Sequence, residues 1–509
     1  MDTTEVKKEE TGQKPKDDNV TYDSNKKGTV RGRRISFAGI CESATVVTVC
    51  RLLLALTFIM SGFVKAVDPL GTQYKLTDYA EAVGLARYAN SYLTLAMAVA
   101  MSTIEFWLGI CLLFTIRRRR TVRLMLLVMA VFTPLTLWLA LADPIQDCGC
   151  FGDAIKLSNW QTFWKNVVLL LAAIVLYRRP LGIKRVISRS SQWIVTNYTV
   201  VFIVVVSGWS LYDLPLFDFR PYHTGADIRR GMEIPEGAPM PQFETTFIME
   251  KDGVRKEFTL DNYPDSTWTF VDSRTVQTAE GYVPPIHDFS IIRRTDNEDV
   301  TDSVLSRKGY SFLLVAPFLE YADDSRLDLI NQVYEYAEEH GYPFYCLTAS
   351  SDRGTGRWRI MTGAEYDFYT TDGTTLKTII RSNPGLVLLK DGVVIRKWSH
   401  NMLPDEYVLT DRLENIEAGK IPENSVTGKV AKIVMWYVLP LLLLTLADRM
   451  WAWSKWVKAK RKSNKIYQLF KTKDNEKENC SRKLENEHEP ARGCGSGQGT
   501  QRDTDGTEA

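Results

Sequence analysis

Two of the eight cysteines, Cys148 and Cys150, lie two residues apart in the stretch "DCGCFGD" at 147–153. Thiols that close can trade electrons with a disulfide. A disulfide needs Cα atoms about 4.4–6.8 Å apart, which neighbours i and i+2 can meet. The closed ring is small, and Gly149 eases it because glycine reaches φ > 0 without a Cβ clash. Such a bond is strained, and strained exposed disulfides are oxidising and labile. A loop this short also removes little unfolded-state entropy, which argues against a stabilising staple. Asp147 and Asp153 flank the pair and should raise the thiol pKa values by like-charge repulsion, making the dithiol less nucleophilic. Three readings stand: a redox pair, half of a metal site, or a structural loop. Zinc would want four ligands; the outer histidines are His223, His287, His340 and His400, all distant in sequence, so no metal is expected. Residues 1–212 hold no histidine, which disfavours a His-ligated haem.

A second group with chemical potential is Glu105, in the middle of a long apolar run. An uncompensated charge at the bilayer midplane costs at least roughly 2.5–3.5 kcal/mol, so Glu105 should be paired or protonated. Counting ~1.5 Å per residue puts Arg51 about 10 Å from the inner side, and makes it the expected partner by depth. Lys65 stands at the outer edge and would snorkel outward. The pair Glu105–Arg51 is either a proton site coupled to redox chemistry or a structural tie between two helices.

These residues need a membrane to position them. The formal net charge of +2 points to no charged partner, nucleic acid included. Apolar runs at about 44–64, 92–116, 121–142, 162–177, 193–212 and 430–447 each approach the roughly 20 residues a spanning helix needs. The first begins after about 40 polar residues, too late for a cleavable signal peptide. Basic clusters fall on alternate connections: Arg31, Arg33 and Arg34; Arg117 to Arg120 and Arg123; Arg178 to Arg189; Lys455 to Lys462. By the positive-inside rule both termini are cytoplasmic, and "DCGCFGD" and 213–429 face the periplasm of a bacterial inner membrane. The thiol pair then meets the oxidising side. Cys41, Cys480 and Cys494 fall inside, Cys50 and Cys111 within the membrane, and Cys346 in the outer domain.

Residues 1–43 are expected to be a disordered cytoplasmic segment, and 448–509 a basic then, from about 470, disordered tail, because few apolar residues offset many charges. The tract "MWAWSKWVKAKRK" reads as an interfacial belt. In the outer segment, "FETTFIMEKDGVRKEFTL" predicts a hairpin around Lys251-Asp252-Gly253. From Tyr310 the pattern predicts a buried strand ("YSFLLVAPF"), a helix capped by Asp323, Asp324 or Ser325 and ended by Gly341, a second buried strand ("PFYCLTAS"), a short helix near 372–381, a hairpin turning at Asp391-Gly392, and a closing helix over 404–418.

That order, with Pro384 just before the hairpin in "SNPGLVLLKDG", resembles the thioredoxin-like fold over about 310–418, with a core expected over 301–418. The resembled family has a cis proline there, beside its active site. Its redox-active members open the first helix with Trp-Cys-x-x-Cys, where a helix N-terminus lowers the thiol pKa. Here the place reads "APFLEYADDS", and Cys346 is expected to be a buried core thiol. The domain should bind or scaffold, not exchange dithiols.

The first four spans, over 44–180, resemble the DoxX and MauE families of four-helix membrane proteins. The residues that carry this are "RLLLALTFIMSGFVKAVDP", "LTDYAEAVGL", Glu105 and "DCGCFGD". With the thioredoxin-like domain attached, the whole is similar to Bacteroidetes DoxX-family proteins. The expected fold is therefore a multi-span α-helical membrane protein, a four-helix bundle plus two further spans, bearing an extracytoplasmic α/β thioredoxin-like domain. The resemblance implies thiol–disulfide or quinone-linked electron transfer through Cys148 and Cys150, with a membrane quinone or a partner's disulfide as acceptor, and a periplasmic client or redox partner. The alternatives are a non-enzymatic binding or assembly factor, and a transporter. The last lacks an inverted repeat or paired broken helices.

Overall fold

Long apolar runs become helices because backbone groups in hydrocarbon can be satisfied only within the segment. The computed structural model describes residues 44–143, 149–179, 187–188, 191–239, 242–251, 254–259, 268–279, 281–422 and 426–486. The expected disorder of 1–43, Asp252-Gly253 and Cys148 lie outside the described residues. The spans are α1 (Ala44–Val67), α3 (Ser91–Leu113), α4 (Arg118–Ala142), α5 (Asn159–Arg178), α6 (Gln192–Tyr212) and α12 (Val426–Asn486), with a short α2 (Pro69–Ala82) after α1. Six described helices are long and apolar enough to cross a membrane; this is a multi-pass membrane protein.

Glycine sets the closest approach. A Cβ on Gly62 of α1 would stand 2.4 Å from the backbone nitrogen of Phe106 on α3, and one on Gly109 of α3 would stand 2.7 Å from that of Ile59. The two helices therefore pack backbone to backbone and antiparallel, as small residues permit in membranes. Helix α5 packs on α1 and α4, and α6 on α1 and α3. Asn166 of α5 donates to Thr136 of α4 at 3.2 Å. Helix α12 closes on α6 through Tyr437, whose hydroxyl meets Thr199 at 3.0 Å and whose ring tilts against Phe202.

Three departures from the sequence expectations stand out here. The segment after α1 is helical: Asp68 caps α2 by accepting from the Gly71 amide at 2.9 Å, and Pro69 opens it, the favoured place for proline. Helix α12 runs through Asn486, past the point where disorder is expected. Lysine and glutamate are good helix formers, and Glu478 and Arg482 pair one turn apart. Residues 404–418 hold turns, with a 3-10 turn at Glu417–Gly419, in place of a closing helix.

Beyond α6 come α7 (Ile228–Met232) and a three-stranded antiparallel sheet of β1 (Gln242–Lys251), β2 (Val254–Thr259) and β3 (Thr269–Ala279), ordered β2-β1-β3. The expected hairpin is β1–β2; β3 was not anticipated. The larger unit contains β4 (Ile292–Arg293), α8 (Thr301–Leu305), β5 (Tyr310–Val315), α9 (Leu327–His340), β6 (Phe344–Thr348), α10 (Asp352–Thr362), β7 (Asp367–Thr370), α11 (Gly373–Ile379), β8 (Gly385–Lys390) and β9 (Val393–Ser399). Its sheet order is β4-β7-β6-β5-β8-β9. Strands β5, β6 and β7 are parallel, and β8 and β9 return antiparallel. Every residue of β5 is buried, because helices or loops cover both faces: Phe312 and Leu314 enter one core, Leu313 and Val315 the other. The α10–β7 unit is an addition to the expected order. Helix α9 begins after Arg326 with no side-chain cap, so the acidic residues before it do not cap it. Asp391 and Gly392 both take positive φ at the β8–β9 turn, as that turn type demands. The Asn383–Pro384 bond is cis.

The Gly62 contact makes a direct test. Replacing Gly62 with leucine should lower the stability of the full chain in detergent by at least about 2 kcal/mol, the cost of overpacking. Denaturant unfolding checks it; a wild-type midpoint would refute the close packing.

Candidate functional site

The C-terminal half of α1 presents Ser61 and Lys65 one turn apart, on the face that meets α3. There Lys65 Nζ donates to both carboxylate oxygens of Glu105, at 2.7 and 2.8 Å. Ser61 Oγ lies 2.7 Å from Glu105 Oε2 and accepts from Lys65 at 3.1 Å. Lys65 is 5% exposed and Glu105 7%. The expected partner, Arg51, is not the one used. Gly62 against Ser102–Phe106 and Gly109 against Ile59 fix the register of the two helices. On that register Arg51 falls beside the C-terminal end of α3, roughly 15 Å from Glu105 at 1.5 Å per residue. Arg51 Nε is buried without a hydrogen-bond partner among the described residues. Depth counted along separate helices missed this stagger.

The same Ser61 hydroxyl lies 2.7 Å from the carbonyl oxygen of Cys150. A hydroxyl has one hydrogen, so Ser61 serves either the carbonyl of Cys150 or the carboxylate of Glu105 at a given moment. The cysteine loop thus rests on the buried ion pair through one rotatable group. The loop turns on Gly149 and Gly152, with φ of 62° and 52°, and the Gly152 amide donates to the Gly149 carbonyl at 3.0 Å. A Cβ on Gly152 would press on Val64 at 3.2 Å.

The α/β unit grips this loop. Arg381, between α11 and β8, sends Nε to Asp68 at 2.9 and 3.1 Å and Nη2 to Asp153 at 3.2 Å. Its Nη1 donates to the Lys377 carbonyl, and its guanidinium lies 5.3 Å from the centre of the Tyr74 ring. Arg381 is 8% exposed. Asp153, expected to raise the thiol pKa values, is therefore neutralised by a cation; Asp147 lies outside the described residues. Burial pushes the Tyr74 hydroxyl above its ordinary pKa, against the pull of Arg381.

A second buried cluster joins the segment after α6 to β9. Asp218 accepts from Arg220 Nε at 2.7 Å and from Lys397 Nζ at 2.8 Å. Burial pushes the Asp218 carboxyl up, but Lys397 and Arg220 together outweigh it and hold it well below the usual range. Burial drives Lys397 down to about 8, against the attraction of Asp218.

Between the loop and the α/β unit lies a cavity of ≈ 240 Å³, whose lining includes Gly149, Gly152, Asp153, Tyr74, Arg220 and Arg381. Cys346 is fully buried in the core, and burial drives its thiol well above its ordinary pKa, so it is an inert thiol. In the segment 316–325, where a dithiol is absent, Leu319 and Glu320 instead bond Ser350. Arg381, Asp68 and Arg220 carried no sequence signal, since each is defined by a partner from another part of the chain.

Residues 43–179 match the family described as Methylamine utilisation protein MauE. Over those residues the chain is similar to that family of membrane proteins. The matched segment holds α1 to α5 and the cysteine loop. Residues 243–280, the three-stranded sheet, match a Domain of unknown function (DUF8463). No curated protein matches the chain, and no solved structure does.

Two outcomes follow for this site. Replacing Lys65 with methionine, or Glu105 with leucine, leaves a buried charge alone and should cost about 3–5 kcal/mol, while the double replacement restores much of that loss. A double-mutant cycle on unfolding in mixed micelles decides it; single variants as stable as wild type would show that the pair does not hold the helices. For Asp218, the depressed folded-state pKa means its stabilisation is present above the ordinary value of 3.8 and is lost as pH falls through that value toward the folded one. The thermal midpoint should drop on acidification below about pH 4, with a smaller drop in Asp218→Asn.

Proposed function

We propose that this MauE-like protein carries out thiol–disulfide exchange through Cys148 and Cys150. The observation that carries the reading is the seat of the cysteine loop: the Cys150 carbonyl on Ser61, Ser61 on the Glu105–Lys65 pair, and Gly149 on a cavity under the α/β unit. A loop whose role was only to connect two helices would not need a buried acid beneath it and a cavity edged by charged side chains above.

In the exchange, a client thiolate attacks the Cys148–Cys150 disulfide, forming a mixed disulfide and releasing one cysteine thiolate. A second client thiolate then attacks the client sulfur of that mixed disulfide, closing the client's disulfide and releasing the other cysteine. Two electrons pass from the client to the pair, which takes up the two protons the client thiols lose, as a strained, oxidising disulfide favours. Glu105, reached through Ser61, would hold or give up a proton as the loop changes state. The space beside Glu105, lined by Phe58, Phe132 and Phe151, is ≈ 40 Å³. That is room for a few waters and not for a quinone ring, so the oxidant that restores the pair is a partner's disulfide.

The α/β unit is read as thioredoxin-like, supported by three parallel strands continued by an antiparallel hairpin. Lacking cysteines at 316–325, it would cover the loop and hold a client there. The basic clusters support an inner-membrane protein with both termini cytoplasmic and this unit in the periplasm. The absent dithiol also favours a second reading, a non-enzymatic assembly factor.

Thiol trapping in intact cells with a membrane-impermeant maleimide separates the two. The exchange reading expects Cys148 and Cys150 to be a mixture of thiol and disulfide, and a Cys150→Ser variant to trap a mixed disulfide at Cys148. A pair fixed in one state under reducing and oxidising conditions, with a double serine variant like wild type, would leave the assembly reading.

A further inference from the structure

The cavity between bundle and α/β unit has a charge arrangement that the exchange reading leaves unused. Arg381 is matched by two carboxylates, Asp68 and Asp153. In the neighbouring cluster one carboxylate, Asp218, serves two cations, Arg220 and Lys397. Arg220 lines the cavity and is 3% exposed. Its Nε is bonded to Asp218, but its Nη1 is buried with no hydrogen-bond partner among the described residues. Buried guanidinium donors are normally satisfied, because an unmet charged donor keeps its full desolvation cost. Lys377 lines the cavity too, with Lys75 and Asp78; its ammonium lies over the Tyr74 and Phe318 rings at 4.9 and 5.3 Å, and Asp78 offsets part of the charge of Lys75 and Lys377. Tyr74 itself lies on the cavity wall, in ring contact with both Lys377 and Arg381.

We propose that this cavity binds an oxyanion, a carboxylate or phosphate group, with Arg220 as its principal partner and Lys377 as the second. A guanidinium presents forked N–H groups that match two oxygens of such an anion. The volume of ≈ 240 Å³ falls short of drug-sized pockets, which run to about 300–1,000 Å³, so the occupant is small or is the anionic head of a larger molecule. Gly149 on the wall places the bound anion beside the cysteine loop. The inference does not rest on the exchange reading: an anion can bind here whether or not the thiols react.

The test is calorimetric titration of the full chain in a non-ionic detergent with sodium phosphate and with sodium acetate, at ionic strength held constant by sodium chloride. The site expects saturable binding of at least one of the two and none with chloride alone. Arg220→Gln should weaken that binding about tenfold or more, the loss of a charged hydrogen bond. Because Arg220 also holds Asp218, Lys377→Met is the second variant; it keeps the contact with the rings and should weaken binding severalfold. The double variant Cys148→Ser, Cys150→Ser should bind as wild type does, which separates this site from the redox chemistry. Displacement of phosphate by stoichiometric phosphatidylglycerol would identify a lipid headgroup as the anion. Displacement only by soluble anions would identify a free ligand, and either outcome supports the site. Absence of saturable binding, or equal binding in wild type and Lys377→Met, overturns the proposal.

Discussion

Arg381 is the residue on which the arrangement turns. Its guanidinium is taken out of water and divided between Asp68, at the start of α2, and Asp153, at the end of the cysteine loop. Desolvating such groups is expensive, and their mutual attraction offsets it only when the geometry is good and the remaining donors are met. Here the third direction of the fork goes to the Lys377 carbonyl, and the flat face lies over Tyr74. One side chain of the α/β unit thereby fixes two separate segments of the bundle. The chamber above the loop exists because these contacts hold its walls.

Below the loop the constraint is steric. Gly62 and Gly109 let α1 and α3 meet at backbone distance, and that approach fixes which residues face each other. Once the register is fixed, Ser61 and Lys65 lie opposite Glu105 with no freedom to choose Arg51. A lysine and a glutamate that would each be unfavourable in hydrocarbon become a compact pair with a hydroxyl on its edge. The loop above then has a polar seat in an apolar bundle. The MauE match covers this part of the chain, while Arg381, Arg220 and Lys397 come from outside it. The chamber is thus shared between the matched segment and the remainder.

Much of this protein was readable along the chain. The spans appeared as apolar runs because a membrane helix must be apolar over its whole length. Strand β5, helix α9 with its terminal Gly341 and the Asp391-Gly392 turn were legible for the same kind of reason: burial on both faces, helical periodicity and positive φ are local demands on residue type. The cysteine pair was legible from spacing. Helices α2 and α10 were not, since their polar compositions resemble loops, and the length of α12 was not, because its C-terminal half has no apolar face to bury.

What the sequence by itself determined is where helices and strands form and which residue types could react. What only the tertiary structure decided is who meets whom. Lys65 and Glu105 are partners because two glycines set a helix stagger that no count of depth contains. Asp153 is neutralised because Arg381, far away in sequence, folds back over it. Electrostatic partnership depends on distance in space, and falls off within a few ångströms of polar surroundings. Residue type records only that a charge is present; the packing of the helices and the docking of the α/β unit decide whether it is met.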